Sequence, residues 1–130
     1  MERFLCTMVS ADRLASDRSE SLMPAEYVIV LTTLPADADA SALAKTIIGE
    51  RLAACVNLLP LMESVYRWEG QVEKEPERQI IIKTTRDRTV ALWERVRELH
   101  PYEVPEFIVV PISDGNDAYL RWIGEATRGG

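Results

Sequence analysis

Two short segments, residues 27–31 and 79–84, constrain the fold most strongly, because each contains an uninterrupted run of apolar, mostly β-branched side chains. A strand that is apolar at successive positions is covered on both faces and lies inside a sheet. Neither run approaches the roughly 20 apolar residues that span a bilayer. The pattern predicts two central strands and gives no indication of a membrane segment.

A helix is predicted directly after the first strand. Apolar residues recur there at helical spacing, and they are Leu43, Ala44, Ile47, Ile48 and Leu52. Asp37 or Asp39 can cap this helix, because an aspartate side chain accepts a hydrogen bond from the free N–H groups of the first turn. The stripe predicts that one side of the helix packs on the sheet.

A long β-hairpin is predicted next. Its first strand covers residues 54–59, bends at Pro60 and continues to Trp68. Gly70 marks the turn, and the return strand begins near Val72. This hairpin is longer than the other strands, so we expect it to extend beyond the rest of the sheet.

A second helix follows the hairpin, with Asp87 as its predicted cap. Its predicted buried side consists of Val90, Trp93, Val96 and Leu99. The helix must end at His100, because Pro101 lacks an N–H and disfavours helical backbone in the residue before it.

A fourth strand is predicted over residues 107–112, and Pro111 assigns it to a sheet edge or a strand end. A short C-terminal helix comes last, with the apolar residues Tyr119, Leu120, Trp122 and Ile123. The order β-α-β-β-α-β plus a helix predicts an α+β protein, a ferredoxin-like sandwich. In that topology the first and third strands are central, and the second and fourth strands are edges open to another chain.

The chain divides into two parts by composition. Residues 1–24 are polar, mixed in charge and without periodicity, which predicts a disordered extension. Residues 25–130 form the predicted folded domain. Either Met1 or Met23 could be the true start, because Met23 leads directly into the first strand.

Charge and cysteine content limit which partners and which cellular compartment we expect for this chain. The net charge of −6 and the absence of a basic stretch disfavour nucleic-acid binding, which needs clustered Lys and Arg. Cys6 and Cys55 form no disulfide framework and are interpreted as free thiols in a reducing compartment. We therefore expect a cytoplasmic protein with neither nucleic acid nor membrane as a partner.

The segment from His100 to Glu106 contains the only histidine of the chain. Pro101 and Pro105 stiffen it into a connector that presents an imidazole, the Tyr102 phenol and carboxylates. Such a loop can carry a functional site. The alternative is that the two prolines only steer the chain from the helix into the fourth strand.

Five sequence blocks, taken in order, resemble one protein family. They are RLAACVN at 51–57, SVYRWEG at 64–70, IKT at 82–84, HPYEVPE at 100–106 and YLRW at 119–122. In this order and spacing they resemble the CutA family of divalent-cation tolerance proteins, over about residues 26–126. The resemblance implies a homotrimer in which edge strands pair across subunits. It also implies a link to copper and other divalent metals, and a fold shared with nitrogen-regulatory trimers.

The resemblance also points to metal ligands. Copper contact in the family is associated with a cysteine at the end of the first strand and with histidines beginning the His-Pro-Tyr motif. This chain has Thr32 and Leu99 at two of those positions, so His100 is the candidate that remains. Cys55 is a further candidate, although its small apolar neighbours favour a buried thiol. Copper or another divalent metal is expected as a ligand that folding does not require.

A cleft between subunits is the other candidate site, and it would involve Tyr66, Trp68, Lys83, Tyr102, Glu103 and Glu106. Tyr66 and Trp68 are typical packing or interface anchors. Lys83 is expected either to pair with Glu103 or Glu106 or to face the cleft.

The cleft leaves a second function open. A regulatory module could bind a small anionic ligand there, with Lys83, Arg67 and Arg86 as its cations, although no glycine-rich phosphate loop is present. An enzyme is disfavoured, because no nucleophile stands in a recognisable motif beside the lone histidine.

Overall fold

The computed structural model describes residues 26–129, so the predicted extension at 1–24, both candidate start methionines and Cys6 lie outside it. Along the chain the elements are β1 (Tyr27–Pro35), α1 (Ala40–Gly49), β2 (Cys55–Trp68), β3 (Gln71–Thr85), a 3-10 turn (Arg86–Arg88), α2 (Thr89–Leu99), β4 (Ile108–Pro111) and α3 (Asp117–Ala126).

The four strands form one antiparallel sheet in the order β2-β3-β1-β4. The prediction that the two apolar runs are central is confirmed, since β1 and β3 lie between β2 and β4. The ferredoxin-like α+β architecture is confirmed as well. Continuous apolar sequence gave the correct result here because only a central strand needs apolar side chains on both faces.

The main core lies between the sheet and helices α1 and α2. Alternate residues of the central strands form its floor, and they are Val28, Val30, Ile80 and Ile82. Leu43 and Ile47 of α1 and Leu92 and Val96 of α2 cover them. Asp39 caps α1 by accepting a hydrogen bond from the Ala42 N–H at 3.0 Å, as one of the two predicted caps.

The opposite face of the sheet, which we call the outer face, is covered in part by α3. Tyr27 lies 3.7 Å from the position of a Cβ on Gly124, and the hydroxyls of Thr85 and Thr127 lie 3.4 Å apart. Ile123 is the fully buried residue of this helix. Toward β4 the outer face stays open, because Ile108 and Val110 are exposed.

Helix α2 differs from its prediction in its start and its rotation. A 3-10 turn precedes it, so Asp87 accepts a hydrogen bond from the Thr85 hydroxyl at 2.6 Å and does not cap the helix. Leu92 and Val96 form the buried side, whereas Val90 is 70% exposed. The apolar residues of this short helix are spaced so that either of two sides could be the buried one. Packing on the sheet buries the side with Leu92 and Val96.

The β2–β3 hairpin extends well beyond the sheet. β1 reaches only to Glu77 of β3, so residues 63–76 pair with each other alone. We call this two-stranded extension the arm. Glu69 and Gly70 at its tip both have positive φ, which matches a two-residue hairpin turn with the twist of the strands. The bend predicted at Pro60 is an irregularity in pairing between Leu58 and Leu61.

Candidate functional site at the end of the first strand

The site is built around the loop that joins α2 to β4, residues 100–107. His100 ends α2 with an extended backbone, ψ 136°, which is the effect expected of the proline that follows it. The loop then crosses the end of β1 and reaches side chains of β3. It therefore joins three elements that are far apart in sequence.

His100 is buried, and both of its ring nitrogens have backbone partners. Nδ1 accepts a hydrogen bond from the Tyr102 N–H at 3.0 Å. An amide N–H can only donate, so Nε2 carries the ring proton and donates to the Thr33 carbonyl oxygen at 2.5 Å. In this geometry neither nitrogen has a lone pair free for copper. The predicted role of His100 as a ligand conflicts with these two bonds.

Tyr102 is bonded to a buried carboxylate of β3. Its hydroxyl donates to Glu77 Oε2 at 2.5 Å, and its ring lies 4.9 Å from the His100 ring. Burial raises the pKa of Tyr102 well above its usual range, and the hydrogen bond and negative charge of Glu77 raise it further. Glu77 is itself 92% buried, since 8% of its surface is exposed. The Tyr102 hydroxyl is the hydrogen-bond partner of the Glu77 carboxylate.

Gln79 connects the same loop to β1. Its Nε2 donates to the Thr32 carbonyl oxygen at 2.8 Å and to Glu106 Oε2 at 3.0 Å. The Thr32 hydroxyl is buried and has no hydrogen-bond partner among the described residues. The family resemblance places a cysteine at the end of the first strand at this position, but β1 continues to Pro35, so Thr32 lies inside the strand with its hydroxyl buried.

Tyr66 of the arm belongs to the same region. Partial burial raises its pKa, and the carboxylates of Glu75, Glu73 and Glu77 raise it further. The Glu77 and Glu75 carboxylates also raise the pKa of Tyr102. The site is therefore an acidic, aromatic surface that continues from the loop onto the arm.

Lys83 lies elsewhere on the outer face. It pairs across the strands with Cys55, and its Nζ lies 3.5 Å from the Tyr119 hydroxyl and 5.8 Å from the centre of that ring. No ion pair with Glu103 or Glu106 is found among residues 26–129, because Glu106 accepts from Gln79 and Glu103 is exposed in the loop. Of the predicted cleft residues, Tyr66 and Tyr102 share the Glu77 carboxylate as a neighbour, and Glu106 is bonded to Gln79. Lys83 joins Tyr119, and Trp68 is exposed near the tip of the arm.

The donors that the structure describes in one subunit do not fit a metal centre. Residues 26–129 contain no group of three or more His, Cys, Asp or Glu placed to hold an ion. Transition metals in proteins usually need three or four such donors. Cys55 is a half-buried free thiol directly opposite Lys83, and His100 is held by backbone groups.

Sequence reasoning missed Glu77 and Gln79, which are the two β3 side chains that hold the loop. They alternate with Glu75 and Glu73 just before the apolar run, at the spacing that places all four on one face of a strand. That alternation was a usable signal. What it could not show is that the distant loop covers its end.

Fold and site together define an α+β protein of the ferredoxin-like class with a projecting arm and a histidine-anchored loop. The sequence profile described as CutA1 divalent ion tolerance protein matches residues 28–126. The chain belongs to this family.

Several relatives match over most of the folded part. The divalent-cation tolerance protein CutA of Thermus thermophilus is 46% identical over 99 residues, which is 76% of this chain and 96% of the relative. A solved structure of the Thermus thermophilus protein has a TM-score of 0.75, covering 78% of this chain and 98% of its own. The crystal structure of CutA1 from Oryza sativa has a TM-score of 0.77 at 44% identity, over 82% and 98%.

One plant relative carries a compartment in its name. Protein CutA, chloroplastic, of Arabidopsis thaliana is 43% identical over 109 residues, covering 84% of this chain and 60% of that protein. Its name places that relative in an organelle. Within residues 26–129, no helix combines the length and apolar character that a membrane crossing requires.

Proposed function

We propose that this chain acts in the cytoplasm as a homotrimeric divalent-cation tolerance protein, with copper as the ion that it binds. Membership of the CutA1 family supports the link to divalent cations. The subunit number is the one that the family resemblance implies. The proposal contains no catalytic step.

The observation that carries the assembly is the arm. A two-stranded ribbon is marginal by itself in water. This one exposes Val65 and Val72 on one of its faces and Tyr66 and Trp68 on the other. Large apolar side chains that stay exposed beside one another on a projecting ribbon are typical of an interaction site, so another copy of the chain is their expected cover.

The two edges of the sheet support the same assembly. β2 and β4 have no strand partner on their outer sides among the described residues. Because they differ in sequence, pairing one with the other in a second copy is heterologous and closes into a ring only when the rotation permits. Such pairing would also cover the exposed Ile108 and Val110 beside the β4 edge.

Copper is proposed as a ligand of the assembled protein and not as a resident cofactor of a subunit. The donors within residues 26–129 of one subunit do not cluster, so a site built from them would combine donors from two or more chains. Among divalent first-row ions, copper is bound most tightly by a given set of N, O and S ligands. Calorimetry on the assembled protein should therefore rank copper above zinc, nickel and cobalt.

Sedimentation at micromolar concentration tests the assembly. We expect a trimer for the wild type and monomers for Val65→Asp, because Val65 is 61% exposed on the arm and a carboxylate there resists burial. Val90→Asp is the matched control, since Val90 is 70% exposed in the first turn of α2, where an acidic residue suits the helix dipole. A monomeric wild type would contradict the proposal.

Growth in copper tests the cellular role. Cells that lack their own copy of the gene should regain copper tolerance with the wild type and with Val90→Asp, and not with Val65→Asp. Equal tolerance with and without the wild-type chain would contradict a role in cation tolerance.

A small anionic ligand bound between subunits is the second candidate, and Lys83 favours it. Lys83 has no carboxylate within salt-bridge distance among residues 26–129, and it lies beside the exposed ring of Tyr119. An anion would supply the missing charge. Thermal-shift measurements with nucleotides and inorganic phosphate test this, because a ligand of the native state raises the melting temperature. Lys83→Gln should abolish any such shift.

A further inference from the structure

We infer that the outer face of the sheet beside α3 is a binding site for a planar aromatic monocarboxylate, held by Lys83 and by the rings of Tyr119 and Trp122. This inference rests on the second candidate function, the small anionic ligand, and identifies the chemical class of that ligand. It follows from the side chains that the strand register and α3 bring together on this face.

One row of side chains crosses the outer face from strand to strand. Its members are Cys55 of β2, Lys83 of β3, Ile29 of β1 and Val110 of β4, each directly opposite the next. Directly opposed residues of an antiparallel pair share one face. Ile29 is half-buried, and Val110 is exposed at the sheet edge. An apolar surface therefore begins beside the Lys83 ammonium group and stays open toward β4.

Helix α3 places two aromatic rings beside this surface. Tyr119 and Trp122 are three residues apart in the helix, so they are neighbours on its surface. Their ring centres lie 5.4 Å apart, with the ring planes inclined at 44°. Tyr119 is 42% exposed and Trp122 is 43% exposed. A pair of aromatic rings that remains this accessible can stack against a further planar group.

The ammonium group of Lys83 lies where the apolar row meets the rings. Its Nζ donates to the Tyr119 hydroxyl at 3.5 Å and lies 5.8 Å from the centre of the same ring. Lys83 is half-buried, and among residues 26–129 no carboxylate lies within salt-bridge distance of it. An ammonium group has three N–H donors. A carboxylate bound here would accept from the remaining donors and supply the missing negative charge.

The number of cations limits the charge of the ligand. Arg67 lies in the arm opposite Val72, and Arg86 begins the 3-10 turn with its Nε buried. Among the described residues, Lys83 is the cation that meets the Tyr119 ring. A polyphosphate is bound by several converging donors, whereas one ammonium is a single point charge that matches one carboxylate. The aromatic and aliphatic side chains then contact the flat apolar part of the same ligand.

Isothermal calorimetry on the full-length wild type tests the inference with naphthoate as the probe. Naphthoate should bind at least about tenfold more tightly than acetate, which lacks the rings, or naphthalenemethanol, which lacks the charge. Inorganic phosphate and ATP should bind more weakly than naphthoate, because a single ammonium group is present for their several charges.

Two variants separate the contribution of the charge from that of the ring. Lys83→Gln should weaken naphthoate binding at least about tenfold, since it removes a charge-assisted hydrogen bond. Trp122→Leu should weaken it about threefold or more, since it removes a stacking surface. Lys45→Gln is the matched control and should leave the affinity unchanged, because Lys45 is exposed on α1, on the opposite side of the sheet.

Circular dichroism establishes that each variant is folded. If Lys83→Gln does not fold, Trp122→Leu still decides, because its ring lies exposed on the surface of α3. Equal naphthoate affinity in the wild type and in either folded variant would overturn the inference.

The remaining outcomes distinguish this inference from the function on which it rests. Inorganic phosphate bound more tightly than naphthoate, and lost in Lys83→Gln, would overturn the aromatic class and leave the small anionic ligand standing. Binding of none of these anions would reject the inference and the anionic ligand together. Sedimentation measures the homotrimer independently of all these titrations.

Discussion

His100 donates its Nε2 proton to the carbonyl oxygen of Thr33, across 67 residues of sequence, at 2.5 Å. The same ring accepts the Tyr102 N–H through Nδ1. One neutral imidazole thereby satisfies a backbone acceptor at the end of β1 and a backbone donor in the loop. Buried backbone groups without partners are costly, so this histidine has a structural role that any ligand role would have to displace.

His100→Ala should destabilise the domain by about 2–4 kcal/mol, because it leaves two backbone groups unsatisfied and opens a cavity. Urea unfolding measures the change. Val104→Ala is the control in the same loop, where the side chain is 71% exposed, and it should stay within about 0.5 kcal/mol of the wild type. Equal stability of the two variants would show that the His100 bonds contribute nothing.

Copper affinity should be equal in the wild type and in His100→Ala when both are measured as folded, assembled protein. The reason is that neither ring nitrogen of His100 is free. Isothermal calorimetry measures the copper affinity of both proteins. Cys55→Ser and Cys6→Ser are the next variants to examine. A loss of about tenfold or more in His100→Ala would restore His100 as a ligand, because one first-row metal ligand typically contributes that much or more.

Tyr102→Phe should cost about 1.5–3 kcal/mol at neutral pH, since it removes a hydrogen bond to a buried carboxylate. The pKa of Tyr102 is higher in the folded chain than its ordinary value of 10.0. Its contribution is therefore fully present below about pH 10 and is lost as the pH rises through the folded-state pKa. Stability of the wild type should fall more steeply above pH 10 than that of Tyr102→Phe. Parallel curves would contradict the assignment.

Gly70→Ala should loosen the arm, because Gly70 has φ +80° and a Cβ there costs about 1–2 kcal/mol whatever the space around it. Gly49→Ala is the matched control. Nothing lies within 4 Å of a Cβ at Gly49, and its φ is not positive, so alanine should stabilise it by up to about 1 kcal/mol. Thermal unfolding distinguishes the two, and destabilisation of both alike would contradict this reading of the turn.

Removal of residues 1–22, so that the chain begins at Met23, should change the melting temperature by no more than about 2 °C. The expectation rests on the polar, aperiodic sequence of that segment, which offers little apolar surface for docking. Differential scanning calorimetry of both chains gives the answer. A loss of about 10 °C would show that the segment docks on the domain.

The sequence by itself determined the parts of this protein that depend on local pattern. Apolar runs identified β1 and β3 as central, and Pro101 ended α2 at Leu99. Residues 69 and 70 placed the hairpin turn. Each of these follows from the steric preferences of a few neighbouring residues, which act the same way in any fold.

Only the tertiary structure decided how distant groups are used. Burial against the sheet selected Leu92 rather than Val90 as the covered residue of α2. The loop's closure over β1 made His100 a backbone partner and placed Tyr102 on Glu77, while Lys83 met Tyr119. The physical reason is that a polar side chain can be satisfied by many partners. Which partner it finds depends on elements that meet only after the chain has folded, so no local pattern encodes it.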